Sequence, residues 1–195
     1  QIEELTRSWP DELSTLLQDQ HGEHEGLARA DEWSEGFPTA FREEFSPAQG
    51  VDDLVHVITA DAEAHLKIAL HQPDGYAAHQ AQLRLYSPGA AIVLSDVLPV
   101  IENLGLHVLT ENPFRIRSES GRVVFLHLFD LADRDGQDIQ ISKSKTDFEN
   151  LFQRIWRGNN DNDGFNRLAL RAQLNWKQTT LLRAAYRYLK QIRFR

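Results

Sequence analysis

Apolar and polar residues follow a simple order through the middle of the chain. Residues 81–86 alternate between apolar and polar, which predicts a half-buried strand. In 94–104 apolar residues recur every three or four positions, which predicts a helix, and Gly105 suits its C-cap. Two β-rich runs follow at 106–117 and 122–129, separated by a turn of hairpin length. The pattern therefore predicts strand, helix, strand, strand.

A further strand is predicted before this unit, at residues 65–71. Leu66, Ile68 and Leu70 alternate there with polar residues, and about ten residues containing a Pro-Asp-Gly turn precede the next strand. The two strands should therefore pair antiparallel. If the strands joined by the helix run parallel to each other, the sheet is ferredoxin-like, and the strand at 65–71 takes the place of the usual last strand.

The fold class predicted from these elements is α+β. A ferredoxin-like, ACT-like antiparallel sheet carries two helices, 94–104 and 147–157, on one face, and helical segments flank it on both sides. We expect three parts: an N-terminal helical segment at 1–60, an ACT-like α/β sandwich at 61–158, and a C-terminal helical segment at 159–195. The strand at 122–129 is apolar on both faces, so the second face needs cover from the N-terminal helices or from a second copy.

Helix starts are marked by capping sequences. Ser46-Pro47-Ala48-Gln49 and Thr146-Asp147-Phe148-Glu149 are capping boxes, and Asn175 to Gln178 opens a last helix. Near the N-terminus, Pro10 either bends a helix or starts a second one behind Ser8. Each of these patterns predicts a local boundary.

Several polar groups have ordinary structural explanations. Asp52 and Asp53 suit the positive end of a helix dipole better than they suit a catalytic carboxylate pair. His21 and His24 lack the H-E-x-x-H pattern of a zinc site. The acidic run LADRDGQD at 131–138 lacks ligands that a calcium loop requires, so it is interpreted as a solvated loop.

Charge and composition limit the partners. The 195 residues carry a net charge of −8, which argues against nucleic acid or an anionic membrane as a partner. There is no cysteine, and neither an apolar run of membrane-spanning length nor a signal sequence is present, so we expect a cytoplasmic protein. The first residue is not Met, and the end at Arg195 lies inside a helical pattern. We therefore expect a piece of a longer chain.

Motifs for catalysis are missing from the sequence. It contains no G-x-G-x-x-G after a strand, no phosphate-binding G-x-x-x-x-G-K-[ST] loop, no G-x-S-x-G and no framework of metal ligands. The residues predict no catalytic site, no metal and no cofactor for these 195 residues. Composition and pattern alone lead to an α+β domain with helical flanks.

Three long segments resemble one enzyme family. They are LSDVLPVIENLGLHVLTENPFRI (94–116), FPTAFREEFSPAQGVDDL (37–54) and WRGNNDNDGFNRLALRAQLNWKQTTLLRAAYRYLKQ (156–191). Together they resemble the large bacterial NAD-specific glutamate dehydrogenases, in the family's order and across nearly all of the chain. The resemblance implies a parent enzyme that converts L-glutamate, NAD and water to 2-oxoglutarate, ammonia and NADH. It also implies that the catalytic domain and the NAD site lie outside this chain, in a more C-terminal part.

Three functional hypotheses remain open. The first is a regulatory or architectural segment of such a dehydrogenase, whose partners are the rest of the parent chain and further copies of it. The second is a free-standing ACT-like sensor of an amino-acid effector, held by Ser87 and Gly89 of a turn and by Ser95 and Asp96 of the following helix start. The third is an independent enzyme on a ferredoxin-like sheet. The family resemblance favours the first, and the missing catalytic motifs weigh against the third.

Overall fold

Helices form both flanks of the chain, and a sheet forms its middle. A computed structural model describes residues 7–192. In chain order the elements are α1 (Trp9–His21), α2 (Glu23–Trp33), α3 (Thr39–Glu44), α4 (Pro47–Glu63), β1 (Lys67–His71), β2 (Gln80–Pro88), α5 (Leu94–Asn103), β3 (Leu106–Arg117), β4 (Val123–Asp133), α6 (Ile141–Trp156), α7 (Leu168–Arg171) and α8 (Trp176–Gln191). Short 3-10 turns occur at Ser34–Gly36 and Gly164–Arg167.

Within residues 7–192, four strands form one sheet in the order β1-β2-β4-β3. Near one end of β2 the Gly89 amide donates to the Val123 carbonyl at 2.8 Å, and near the other end the Asp133 amide donates to the His79 carbonyl at 2.8 Å. These bonds make β2 and β4 antiparallel. The predicted ferredoxin-like sheet is confirmed, and β1 occupies the edge where the last strand of that fold normally lies.

Local capping signals predicted most helix starts correctly. Ser8, Ser46 and Asn175 each form a complete capping box, in which the side chain accepts the N3 amide and the N3 side chain accepts the cap amide. Ser8 thus starts α1, and Pro10 lies in its first turn rather than in a bend. Ile2 and Leu5, which the apolar pattern placed on the same helix, lie outside the described residues.

The start of α6 was predicted wrongly. This helix begins at Ile141, so Thr146 lies inside it and does not cap it. Glu149 instead reaches β1, where its Oε1 accepts the Leu70 amide at 2.8 Å. The helices α5 and α6 contact each other, as expected for two helices on one face of the sheet. Leu94, the first apolar residue of the predicted α5 repeat, is exposed, as is Val93 before it, and Val100 is buried in the core.

The strand β2 is buried on both faces rather than on one. Its predicted polar face carries Gln82, Arg84 and Tyr86, and all three are buried. The alternation of the sequence predicted water on that side. The side chains instead meet polar groups of the protein, which makes burial possible without unsatisfied hydrogen bonds.

By its internal contacts the chain forms two compact units. The first comprises the described residues up to Lys67 together with Leu85–Ala91 and Pro113–His127, and the second comprises Ile68–Arg84, Ile92–Asn112 and the residues from Leu128 onward. The division predicted from the sequence, with boundaries near residues 60 and 158, stays a prediction.

The first unit is built on an aromatic cluster from the N-terminal helices. Phe41 is fully buried and packs edge-on against Phe114 of β3, with ring centroids 5.4 Å apart. Phe37 packs against the same ring of Phe41 at 4.9 Å. Trp9 Nε1 donates to the Phe45 carbonyl at 2.8 Å, which satisfies its one polar atom. In this unit the N-terminal helices therefore cover the strands, as one of the two predicted alternatives required.

The second unit places α5 and α6 beside their strands, followed by the C-terminal helices. The buried stripe of α6 consists of Phe148, Leu151, Phe152 and Ile155. From α5 the core receives Val97, Val100 and Ile101. The left-handed Gly105 ends α5, with φ of 90°, as its predicted C-cap role requires.

Gly26 offers a direct test of the packing between α1 and α2. An added Cβ there would lie 2.4 Å from the Gln18 Cα, which is a backbone atom that cannot move aside. We expect Gly26→Ala to lower the free energy of unfolding by about 1–3 kcal/mol, because overpacking outweighs the entropic gain of alanine. Chemical denaturation of the 195-residue chain measures this. The control is Gly164→Ala, where nothing lies within 4 Å of the added Cβ, and an equal loss in both variants would contradict the packing argument.

Candidate functional site

The four residues predicted to bind an amino acid lie at the end of β2 and the start of α5. Ser87 belongs to β2 and Gly89 to the turn after it, and both are in the first compact unit. Ser95 and Asp96 occupy the first turn of α5 in the second unit, and both are exposed. Ser95 Oγ lies 3.5 Å from Asp96 Oδ1.

Two backbone amides at this turn already donate hydrogen bonds within the protein, so they are not available to a ligand carboxylate. Gly89 has φ of 77°, which glycine tolerates, and its amide already donates to the Val123 carbonyl at 2.8 Å. The Asp96 amide donates to the Val93 carbonyl at 3.0 Å. An incoming carboxylate would therefore depend on other amides of the helix start. The site at Ser87, Gly89, Ser95 and Asp96 stays a prediction.

A polar cluster that the sequence analysis missed lies in the second unit, where β2, β4 and β3 are adjacent. Asp130 of β4 is its centre. Its Oδ1 accepts Tyr76 Oη at 2.5 Å and Gln82 Nε2 at 3.3 Å, and its Oδ2 accepts Thr110 Oγ1 at 2.6 Å. Arg84 Nε donates to Gln82 Oε1 at 3.0 Å, which extends the cluster along β2. We call these five residues the sheet network.

The electrostatics of the sheet network match its hydrogen bonds. Burial alone would raise the pKa of Asp130, but the bonds from Thr110, Tyr76 and Gln82 outweigh burial and lower it. Burial and the neighbouring Asp130 carboxylate raise the pKa of Tyr76 to about 12. Asp130 is therefore ionised and Tyr76 neutral at pH 7. The Asp130 carboxylate therefore connects β4 to Gln82 of β2, to Thr110 of β3 and to Tyr76 of the loop before β2.

A second buried pair lies in the first unit. Asp53 of α4 is buried, and its Oδ1 accepts Tyr86 Oη at 2.5 Å, while the His56 ring stacks on Tyr86 with centroids 5.0 Å apart. The interpretation of Asp52 and Asp53 as helix-start charges is therefore wrong, because neither lies in the first turn of α4. Asp53 instead points into the core and holds the phenol of Tyr86. One feature of the sequence indicates that Asp53 is buried: it lies on the same helical face as the apolar residues Leu54 and Val57.

The β3–β4 hairpin is fastened to the N-terminal helices by one arginine. Arg122 pairs with Glu32 of α2 at 2.9 Å and with Asp61 of α4, and its guanidinium lies 5.3 Å from the centroid of the Trp33 ring. Ser120 Oγ also donates to Glu32 Oε1, at 2.5 Å. We call this group the hairpin clamp. The hydrogen bonds from Ser120, Arg122 and Ser118 lower the pKa of Glu32 to about 2.

The acidic run at 131–138 is only partly a solvated loop. Asp133 is the last residue of β4 and is buried. Its Oδ1 accepts the amides of Asp135 and Gln137, each at 2.9 Å, and Arg171 Nη2 of α7 at 2.8 Å. Arg171 also pairs with Asp135 at 2.5 Å. The carboxylate therefore organises its own loop and attaches α7 to it, and we call this arrangement the Asp133 anchor.

A third arginine fixes α8. Arg183 is buried, and its Nε donates to Asp163 Oδ2 at 2.7 Å while its Nη2 donates to Asn166 Oδ1 at 2.7 Å. At the start of the same helix the Arg154 guanidinium of α6 stacks on Trp176, 3.6 Å from the ring centroid. Arg183 Nη2 also donates to Asp163 Oδ1 at 3.0 Å, so Arg183 holds both oxygens of Asp163, and lysine lacks the planar fork that this bidentate contact requires.

These arrangements share one chemical character. Each carboxylate accepts hydrogen bonds from hydroxyl, amide or arginine donors, and the groups lie at separate junctions between elements. Asp133 and Arg171 also line a cleft of about 380 Å³. Among residues 7–192 no group of three His, Asp or Glu side chains converges to hold a metal ion. In the same described range no helix combines the length and apolarity that crossing a membrane requires.

Three consecutive parts of the chain match known protein families. Three family models match, described as glutamate dehydrogenase helical motif 2 at 16–59, glutamate dehydrogenase ACT3 domain at 65–144, and glutamate dehydrogenase helical motif 3 at 160–195. The hairpin clamp thus joins Glu32 of the helical motif 2 match to Arg122 of the ACT3 match. The Asp133 anchor joins the ACT3 match to Arg171 of the helical motif 3 match.

Three relatives match nearly the whole of this chain, and each is named NAD-specific glutamate dehydrogenase. The chain is 38% identical to the NAD-specific glutamate dehydrogenase of Pseudomonas aeruginosa, over 99% of its own length. It is 38% identical to that of Halomonas elongata over 97% of its length and 28% identical to that of Mycobacterium tuberculosis over 99%. In each case it spans 12% of the relative.

Fold and junctions together define an ACT-type, ferredoxin-like domain bracketed by helical motifs. The resemblance found in the sequence is confirmed. The chain belongs to the family of large NAD-specific glutamate dehydrogenases, of which it represents a segment.

The hairpin clamp generates a prediction about pH. Because the folded pKa of Glu32 lies near 2, below the ordinary value of 4.5, its contribution to stability is complete above pH 4.5 and is lost as the pH falls toward 2. Glutamine resembles the protonated acid. We therefore expect Glu32→Gln to destabilise the chain at pH 7 and to match the wild type near pH 2, as measured by denaturant unfolding across that range.

The control is Glu119→Gln, which alters an exposed carboxylate of the same hairpin turn. It should leave the dependence of unfolding free energy on pH unchanged. A Glu32→Gln difference that stays constant from pH 7 to pH 2 would mean that the clamp does not bind the ionised carboxylate.

Proposed function

We propose that this chain is a non-catalytic regulatory and architectural segment of an NAD-dependent glutamate dehydrogenase. The parent reaction is oxidation of L-glutamate with NAD and water to 2-oxoglutarate, ammonia and NADH. The names of the relatives support this reaction, and NAD is the parent's cofactor, bound outside these residues. A cytoplasmic location and self-association of the parent belong to the same proposal.

The observation that carries the proposal is the placement of the charged pairs. Arg122 with Glu32, and Arg171 with Asp133, connect parts of the chain that match different family models. Asp133 and Arg171 also line a cleft of about 380 Å³, but these two groups already pair with each other there. The charged pairs join helical motifs to the ACT-type sheet, and the work they do is to hold these parts in fixed positions.

Catalysis would need groups of another kind. Hydride transfer requires a cradle for the pyrophosphate of NAD and a cationic group for the glutamate carboxylate, both converging on one cleft. The arginines at the junctions are already neutralised by aspartates and glutamates. A substrate carboxylate would have to displace these partners before it could bind.

The purified 195-residue chain is expected to form no NADH from glutamate and NAD, while the full-length parent does. The reason is that the paired arginines described above provide neither a cradle for the pyrophosphate nor a free cationic group for the glutamate carboxylate. Absorbance of NADH measures the reaction directly. Glutamate-dependent turnover by the isolated chain, at any rate that scales with its concentration, would overturn the non-catalytic assignment.

The architectural role is tested in the full-length parent by Arg171→Gln. This change leaves the buried Asp133 carboxylate without its cation and should lower the unfolding free energy of the segment by about 1–3 kcal/mol. We expect a lower melting temperature and a lower kcat, with KM for glutamate and for NAD unchanged, because no substrate contact is lost.

The matched control is Arg134→Gln, an exposed arginine next to Asp133 in the chain. It should retain both the melting temperature and kcat. A selective rise in one KM for Arg171→Gln would indicate instead that the anchor touches substrate or cofactor.

A further inference from the structure

The helix α8 exposes an unusual amount of apolar surface. Within residues 7–192, half of the large apolar side chains that are exposed lie between positions 181 and 192: Leu181, Leu182, Tyr186, Tyr188, Leu189 and Ile192. Leu181 is 70% exposed and Tyr188 is 62% exposed. The other exposed apolar residues are scattered over five elements and the residue before α5. A concentration of this kind marks an interaction surface.

Helical geometry separates this surface from the side of α8 that is already buried. Residues 181, 185, 188 and 192 repeat at four, three and four positions, so they form one stripe. Arg183, which pairs with Asp163, lies two residues after Leu181 and therefore about 200° around the helix. The groups that bury Arg183 cannot also cover the stripe. Leu181, Ala185, Tyr188 and Ile192 are hereafter the α8 stripe.

The positive charge of α8 indicates what kind of surface would be complementary to the α8 stripe. Residues 176–195 contain six Lys and Arg and no Asp or Glu, a net charge of +6, which leaves −14 for residues 1–175 of a chain whose total is −8. Arg183 and Arg187 already pair with Asp161 and Asp163. Lys177 is exposed and lies one turn before Leu181, on the side of the stripe. A complementary surface is therefore apolar at its centre and acidic at its margin beside Lys177.

We infer that the α8 stripe docks onto an apolar surface with an acidic margin formed by the parent's own chain outside residues 1–195. The size of the relatives supports this occupant, because 88% of their length lies outside the matched part. The helix is also fixed at one side by Arg183, so the opposite stripe is presented in a constant orientation. The inference rests on the proposed function only in taking the longer parent chain as the partner.

The direct test uses the full-length parent with the photoreactive residue p-benzoylphenylalanine in place of Tyr188, which is of similar shape. Irradiation should link this position to a peptide outside residues 1–195 of the same subunit, so that the product keeps the mass of one subunit under denaturing conditions. Mass spectrometry should identify that peptide as apolar with neighbouring Asp or Glu. A link to residues 1–195 of another copy, a link to another protein, or no peptide link overturns the inference.

A second measurement avoids the bulky probe. In the full-length parent, Leu181→Ala combined with Tyr188→Ala should speed amide hydrogen exchange in α8 at least tenfold, because the docked face is lost. Alanine has the highest helix propensity, so faster exchange cannot come from weaker helix formation. The control Leu27→Ala removes an exposed leucine of α2 and should leave exchange in α8 unchanged.

Equal exchange in the double variant and the wild type would also overturn the docking. These readouts are independent of turnover. NADH formation by the isolated chain would contradict the proposed function while leaving the cross-link result intact, so the two failures are distinguishable.

Discussion

A buried polar group needs a hydrogen-bonding partner. The domain depends on this requirement because its central strand β2 carries three buried polar side chains. Gln82, Arg84 and Tyr86 are all buried on it. Leaving one such group unpaired costs about 1–3 kcal/mol, which is a large fraction of the stability of a domain. Asp130 satisfies one end of the row and Asp53 the other. These carboxylates allow a strand with a polar face to occupy the middle of a covered sheet.

Local signals in the sequence were sufficient for the sheet and for most helix boundaries. The four strands, the capping boxes at Ser8, Ser46 and Asn175, and the C-cap at Gly105 all depend on neighbours within a few positions. Where a capping sequence predicted the wrong helix start, one of its residues contacts a distant part of the chain instead. Glu149 matched a capping box but reaches Leu70 of β1, 79 positions earlier in the sequence.

The junctions could not be predicted for the same physical reason. Arg122 is separated from Glu32 by 90 positions and from Asp61 by 61, and an arginine in a turn has no periodic pattern that distinguishes it from a solvated one. The buried Asp133 looked like part of an acidic loop because its cation comes from α7. The family resemblance gave the identity of the segment. It carried no information about which side chains join its parts.

The bond between Glu149 and Leu70 has a consequence for the open edge of the sheet. β1 is an outer strand of the sheet, and such a strand normally offers its free amides to any extended peptide that approaches. Here a helix side chain occupies the Leu70 amide, and its negative charge stands beside the strand. A foreign strand that aligned with β1 would have to break this bond and bury the carboxylate. Once the domain has folded, Glu149 therefore blocks strand pairing at this position of the β1 edge.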